Sequence, residues 1–149
     1  MPEGESAMAI MKNRAATTIN RPADDIWARI GNFADISWIP GTEPEKCRME
    51  GDLRYVTRDA WNFDLVQRLI EHDDVRHTYS YDLPHDLSFE SLAGPGKIAK
   101  VLNGKLTVTQ TGPSQSDVTW DLETEDFLFP GAFAEYQKAL DTVKAELER

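Results

Sequence analysis

The chain has 149 residues, with 16 Lys and Arg against 26 Asp and Glu and a formal net charge of -10. A surplus of that sign without a basic block disfavours nucleic acid and anionic membrane surfaces as partners, and the length suits one domain that removes roughly 70% of its unfolded surface from water. The single cysteine, Cys47, excludes an internal disulfide and a Cys-rich metal site, and the expected location is cytoplasmic.

Residues 1–13 mix Gly, Glu and Met without period and read as a flexible leader, with too short an apolar run for a signal peptide; a single domain is expected over 14–149. No later stretch approaches ~18 apolar residues, so no membrane insertion is expected. Ala15 to Ile19 reads as the first strand. Pro22, Asp24 and Asp25 then open a helix that carries Ile26, Trp27 and Ile30 on one face and stops at Gly31. Asn32 to Gly41, dense in large apolar groups and ended by Pro40-Gly41, reads as a second short helix or turn.

From Lys46 the pattern changes to period two, with strands expected at Lys46 to Met49, Leu53 to Asp59, Phe63 to His72, Arg76 to Leu83, Ile98 to Thr111 and Asp117 to Glu125. Short polar turns separate most of them, which predicts a meander of antiparallel hairpins. Pro84 to Lys97, PHDLSFESLAGPGK, is the one long irregular segment and reads as a lid or binding loop. Pro130-Gly131 opens a last helix whose apolar residues Phe133, Tyr136, Leu140, Val143 and Leu147 recur at steps of three and four. The prediction is an α+β fold: a curved seven-stranded antiparallel sheet wrapped round a long C-terminal helix, with two short helices after the first strand.

Each strand has one mainly apolar face: Leu53, Tyr55 and Thr57 oppose Arg54, Val56 and Arg58; Leu65, Gln67 and Leu69 oppose Val66, Arg68 and Ile70; Leu102, Gly104, Leu106 and Val108 lie on one side of their strand, as do Val118, Trp120 and Leu122. One helix covering so wide a curved sheet leaves space that side chains fill or a ligand occupies. Gln67, Tyr79, Tyr81, Tyr136 and one of Arg54 or Arg58 are the polar groups expected on the inner side. Two readings stay open: the phenols reach the rim and bond to carbonyls, with both arginines outside, or they are polar fixtures of an apolar cavity.

The segments INRPADDIWARIGNFADISWIPG (19–41), EGDLRYVTR (50–58), QRLIEHDDVRHTYSYDL (67–83), GKLTVTQTG (104–112) and SDVTWDLE (116–123) together resemble the SRPBCC, START-like helix-grip superfamily, and within it the polyketide cyclase/dehydrase group. The resemblance covers about residues 15–148. It implies the helix-grip fold and a deep cavity for a small hydrophobic molecule, which family members bind or, with polyketide chains, cyclise and dehydrate. By position it places Arg54 near that cavity, and puts Gln67 where a Glu usually stands. An amide has no titratable proton, so that departure weakens acid–base catalysis there.

The catalytic candidates are Tyr79 and Tyr81, as hydrogen-bond donors to a developing oxyanion, with Arg54 fixing an enolate or carboxylate. The expected ligand contacts are Gln67, Leu65, Leu69, Trp38, Arg58, Leu102, Leu106, Trp120, Phe133, Tyr136 and Leu140, with Trp38 a candidate gate. Trp61 reads as a hairpin tip, His72 and His77 as solvated turn residues, His85 as a group near the cavity mouth, and Glu123 to Asp126 as solvated charges. No metal and no cofactor are expected. The function expected is binding of a small aromatic or polyketide-like molecule by a monomer or homodimer, with cyclisation, dehydration or aromatisation if it is an enzyme; the alternatives are a carrier or sensor, and an interaction protein with a filled core.

Overall fold

A computed structural model describes residues 9–58, 61 and 63–149. Residues 1–8 of the expected leader, and Asp59, Ala60 and Asn62 at the expected end of one strand and the turn after it, lie outside the described residues.

Seven strands form one antiparallel sheet in the spatial order β1-β9-β8-β5-β4-β3-β2. They are β1 (Ile10–Ile19), β2 (Cys47–Glu50), β3 (Leu53–Val56), β4 (Leu65–Asp73), β5 (Thr78–Asp82), β8 (Leu102–Gly112) and β9 (Gln115–Glu125). Helix α1 (Ala23–Ile30) follows β1, and helix α3 (Phe129–Leu147) closes the chain and packs mainly across β1 and β9. The fold is the expected helix grip.

Local differences have physical reasons. β1 begins at Ile10, before the expected Ala15, because its exposed N-terminal half still pairs with β9 from Ile10 opposite Glu125 onward. The second expected helix is a run of turns instead: Ile36, Trp38 and Phe33 are buried, but Asn32 and Asp35 tie the backbone into side-chain-bonded turns, with Oδ1 atoms accepting from Ala34 N at 3.0 Å and Ser37 N at 2.9 Å. A 3-10 helix follows at Pro44–Lys46.

The segment expected to be one irregular loop is ordered. A two-stranded hairpin, β6 (Leu87–Ser88) with β7 (Ile98–Ala99), brackets a single-turn helix, α2 (Glu90–Ala93). Ile98 and Ala99 therefore leave the strand in which the alternation placed them. Glu125 explains the break: the carboxylate, expected to be solvated, is buried and accepts from Lys100 N at 2.7 Å and Val101 N at 3.2 Å. It satisfies backbone donors where the ladder is interrupted.

A bulge in β4 changes the phase of that strand. Leu69 pairs with Tyr81 and Glu71 with Ser80, leaving Ile70 as the extra, exposed residue. His72 consequently pairs with Tyr79 on the inner side, where its Nε2 lies 2.9 Å from Gly31 O and 3.1 Å from Asp74 Oδ1. His77 is also tied down, with Nε2 2.9 Å from Asp24 Oδ1.

The free edge of β1 is covered by α3. Gln137 uses both ends of its amide on Ala16, accepting from N at 3.2 Å and donating to O at 3.0 Å, as a neighbouring strand would. Lys144 Nζ donates to Thr18 O at 2.6 Å, and Glu148 accepts from Asn20 N at 2.8 Å. Gln137→Ala is expected to cost about 1 kcal/mol and to accelerate hydrogen exchange at the Ala16 amide selectively. Unchanged exchange there would remove this role.

Candidate functional site

The inner side of the sheet holds two apolar clusters. One gathers Ile19, Ile26, Ile30, Phe33, Trp38, Tyr79, Leu106, Val118, Leu140 and Val143 under α1 and the C-terminal half of α3. The other gathers Leu83, Leu87, Phe89, Leu102 and Leu122 below the β6–β7 hairpin and the start of α3. Between the sheet, the 36–42 turns, α2 and the first turns of α3 lies a pocket of about 320 Å³.

Arg54 forms one polar corner. It is directly opposite Gln67 across β3 and β4, and both are buried. Its Nε and Nη2 donate to Gln67 Oε1 at 3.0 and 2.5 Å, and its Nη1 donates to Phe33 O at 2.7 Å. The guanidinium carbon lies 3.9 Å from the centre of the Phe33 ring. β3 thus turns Arg54 and Val56 toward the pocket, with Arg58 joining them just beyond the strand, and its more apolar-looking face, Leu53 and Tyr55, away from it. Both arginines face inward where one was expected to.

Tyr81 supplies the neighbouring corner. The room for its ring comes from Gly104, its cross-strand partner on β8: a Cβ at that position would overlap Tyr81 Cζ and Oη. The Tyr81 hydroxyl accepts from Trp120 Nε1 at 3.1 Å and is hydrogen-bonded to the Tyr136 hydroxyl. Trp120 and Tyr136 stack at 3.7 Å between centres. Whichever phenol donates in the mutual bond, the pair holds two hydroxyl protons and uses one, so one is left unused by the pair.

Burial raises the pKa of Tyr79, Tyr81 and Tyr136; the charge of Arg54 pulls all three the other way without cancelling the effect, and the adjacent Tyr81 raises Tyr136 further. All three phenols therefore stay protonated at neutral pH. They are donors rather than bases.

Of the residues singled out from the sequence, Arg54, Arg58, Leu65, Gln67, Tyr81, Leu102, Trp120 and Tyr136 line the pocket. Tyr79 does not; it is buried against Trp27 and Phe33, with ring centres 5.9 and 5.5 Å away. Leu69, Leu106, Phe133 and Leu140 pack in or against the first cluster. Trp38 is no gate: it is buried against Trp120 at 5.1 Å and donates its N–H to Asp35 O. His85 is exposed and bonds to Asp86 O, away from the lining.

The alternation could not find Ile36, Ile39, Thr42, Phe89, Leu92, Phe127 and Leu128, which reach the pocket from turns and helix ends. Trp61, read as a hairpin tip, also lines it, stacked on Phe63 with centres 5.3 Å apart and lying under Arg58 at 5.0 Å. The run WNF was the available signal. Leu92, Ala93, Gly131 and Glu135 are exposed and mark the mouth.

Arg58 spans that mouth to α3, donating to Glu135 at 2.8 and 3.0 Å, while its buried Nε has no partner among the described residues. With Glu135 half exposed the pair contributes at most about 1 kcal/mol to stability. Glu135→Ala is expected to leave the unfolding midpoint nearly unchanged and to speed release of a bound probe several-fold in stopped-flow fluorescence. A large loss of stability with unaltered release would contradict a latch.

Among the described residues, no group of three or more His, Cys, Asp or Glu is placed to hold a metal ion, and no helix is long and apolar enough to cross a membrane.

The sequence profile of the family described as "Polyketide cyclase / dehydrase and lipid transport" matches residues 12–148. The chain belongs to this family. No curated protein matches the sequence. Solved structures share the polyketide cyclase/dehydrase chain's fold at low identity. An uncharacterised protein from Bacillus thuringiensis is 14% identical with a TM-score of 0.72, over 93% of this chain and 100% of that one. A protein from Nitrosospira multiformis is 19% identical with a TM-score of 0.70, over 91% and 95%. Norcoclaurine synthase from Thalictrum flavum, in complex with dopamine and hydroxybenzaldehyde, is 16% identical with a TM-score of 0.66, over 100% and 95%. The family name covers both transport and chemistry, so the choice between them rests on the lining of this chain's own pocket.

Proposed function

We propose that this protein is a binding protein for a small hydrophobic molecule, aromatic or polyketide-like, enclosed between the sheet and α3. The observation that carries the reading is the division of the lining: apolar side chains over most of it, and Arg54, Gln67, Tyr81 and Tyr136 gathered at one end. Such a surface desolvates a guest while fixing its orientation. At about 30 Å³ per water molecule, 320 Å³ corresponds to about ten waters, hence to a guest of about ten to fifteen non-hydrogen atoms. That size favours one or two rings over a long chain. The aromatic molecules in the norcoclaurine synthase complex are compatible in kind.

Binding is favoured over turnover because the lining offers donors without a free base. Gln67 stands where an acid would serve, the phenols stay protonated, and Glu135 is occupied by Arg58. A catalytic reading has one observation in its favour: the phenol proton left over by Tyr81 and Tyr136 lies in the same pocket as Arg54, an arrangement able to stabilise an enolate during cyclisation or dehydration.

Native mass spectrometry of the purified protein, followed by extraction and identification of retained small molecules, tests the proposal. A retained aromatic or polyketide-like compound is the expected result. If nothing is retained and no hydrophobic probe shifts the melting temperature or quenches tryptophan fluorescence, the binding reading fails. Conversion of the extracted compound that is lost in a Tyr81→Phe, Tyr136→Phe double variant would establish the catalytic reading instead.

A further inference from the structure

Arg54 is the most buried of the arginines described, and among the described residues its charge has no counter-ion. Arg14 pairs with Asp121, Arg29 with Glu146, Arg48 with Glu50 and Asp64, Arg58 with Glu135, Arg68 with Asp82 and Arg76 with Asp73. Arg54 instead meets neutral groups: an amide, a backbone carbonyl, the Tyr79 hydroxyl and the faces of Phe33 and Tyr81. Asp35, whose charge reaches the neighbouring Cys47 and Tyr79, is engaged with Arg29.

The chain holds 26 carboxylates and 16 basic side chains. With acids in such excess, a buried guanidinium left on neutral partners is costly unless something else supplies the negative charge. Stacking over aromatic faces offsets part of that cost only. Among the described residues the pocket lining contains Arg54, Arg58 and Glu135 as its charged residues, and Arg58 and Glu135 cancel. One positive charge remains at the closed, polar end.

Resting on the binding reading above, we infer that the guest is an organic anion: a one- or two-ring apolar body bearing a carboxylate that docks on Arg54. The spare phenol proton of the Tyr81–Tyr136 pair provides a second donor for it. Gln67 then acquires a positive reason for being an amide. It buttresses the guanidinium without neutralising it, whereas a glutamate there would occupy Arg54 and repel the guest's carboxylate.

The experiment is calorimetric titration with matched pairs of aromatic acids and their primary amides, benzoate with benzamide and 2-naphthoate with 2-naphthamide, on wild-type protein and on Gln67→Glu. Wild type is expected to bind the better acid about tenfold or more tightly than its amide, from charge-assisted bonds to the guanidinium. Gln67→Glu is expected to bring that ratio to about one. Without ligand, Gln67→Glu is expected to melt at a higher temperature than wild type, because Arg54 gains its counter-ion. Acids and amides binding wild type equally, or a Gln67→Glu protein that melts lower without ligand, would overturn the anion proposal and leave the binding reading standing. If neither series binds while neutral hydrophobic probes do, the anion proposal falls alone; if no probe of any kind binds, both fall.

Discussion

Gly104→Ala is expected to abolish ligand retention and to lower stability by about 1–3 kcal/mol, because the new Cβ would overlap the Tyr81 ring and the ring has nowhere to retreat. Tyr81 is buried, bonded to Tyr136 and Trp120, and packed on Phe33 at 5.7 Å. Any shift that relieves the overlap moves the hydroxyl and breaks the pairing that leaves one phenol proton for a guest. Gly112→Ala in the same strand is the control, since its Cβ would meet only Gln115 Cβ at 3.9 Å. The pair separates a general glycine effect from the loss of this one close approach. Chemical denaturation and probe titration of both variants decide the matter, and a Gly104→Ala protein that binds normally would show that the phenols do not position the guest.

Glu125→Ala is expected to cost about 2–4 kcal/mol, by leaving the Lys100 and Val101 amides without their acceptor. Thr124 Oγ1 bonds to Val101 O at 2.6 Å in the same corner, so the damage would spread along the turn into β8. Glu125→Gln keeps one carbonyl oxygen and should recover much of the loss. There is a functional consequence too: this corner suspends the β6–β7 hairpin and α2, which bring Phe89 and Leu92 to the pocket. Urea unfolding that places Glu125→Ala within about 0.5 kcal/mol of wild type would mean that water replaces the carboxylate there.

The strands were legible because period two survives wherever one face is packed inward under the helices, as Leu102, Gly104, Leu106 and Val108 show by all being buried. β3 was harder. Its outward face carries Leu53 and Tyr55, while its inward face carries Arg54 beside Val56, with Arg58 following just after the strand, so hydrophobicity pointed to the wrong side; only the pairing of Arg54 with Gln67 settles it. The β4 bulge could not be read either, since an extra residue leaves no mark in composition, yet it turns His72 inward. Strand parity puts Tyr79 on the inner face and the neighbouring Pro40-Gly41 makes Trp38 a candidate gate, but both have core partners instead. Loops contributed much of the pocket that alternation had no means of assigning. Turns and helix ends place side chains by tertiary packing rather than by period.

The two halves of α3 are held with unequal firmness. From Gln137 onward, Gln137, Lys144, Glu146 and the capping Glu148 tie the helix to β1, Asn20 and Arg29, while the turns before it are held, among the described residues, by the Tyr136–Tyr81 hydrogen bond and, at the mouth, by the ion pair of Arg58 with Glu135. Exchange of a guest should therefore proceed by fraying of the first helical turns against α2, with the rest of the helix acting as a fixed hinge post. Residence time would then depend on residues 127–135 and 89–93 and be nearly indifferent to changes near the C-terminus, so that affinity and dwell time could be tuned separately: one at the Arg54 corner, the other at the mouth.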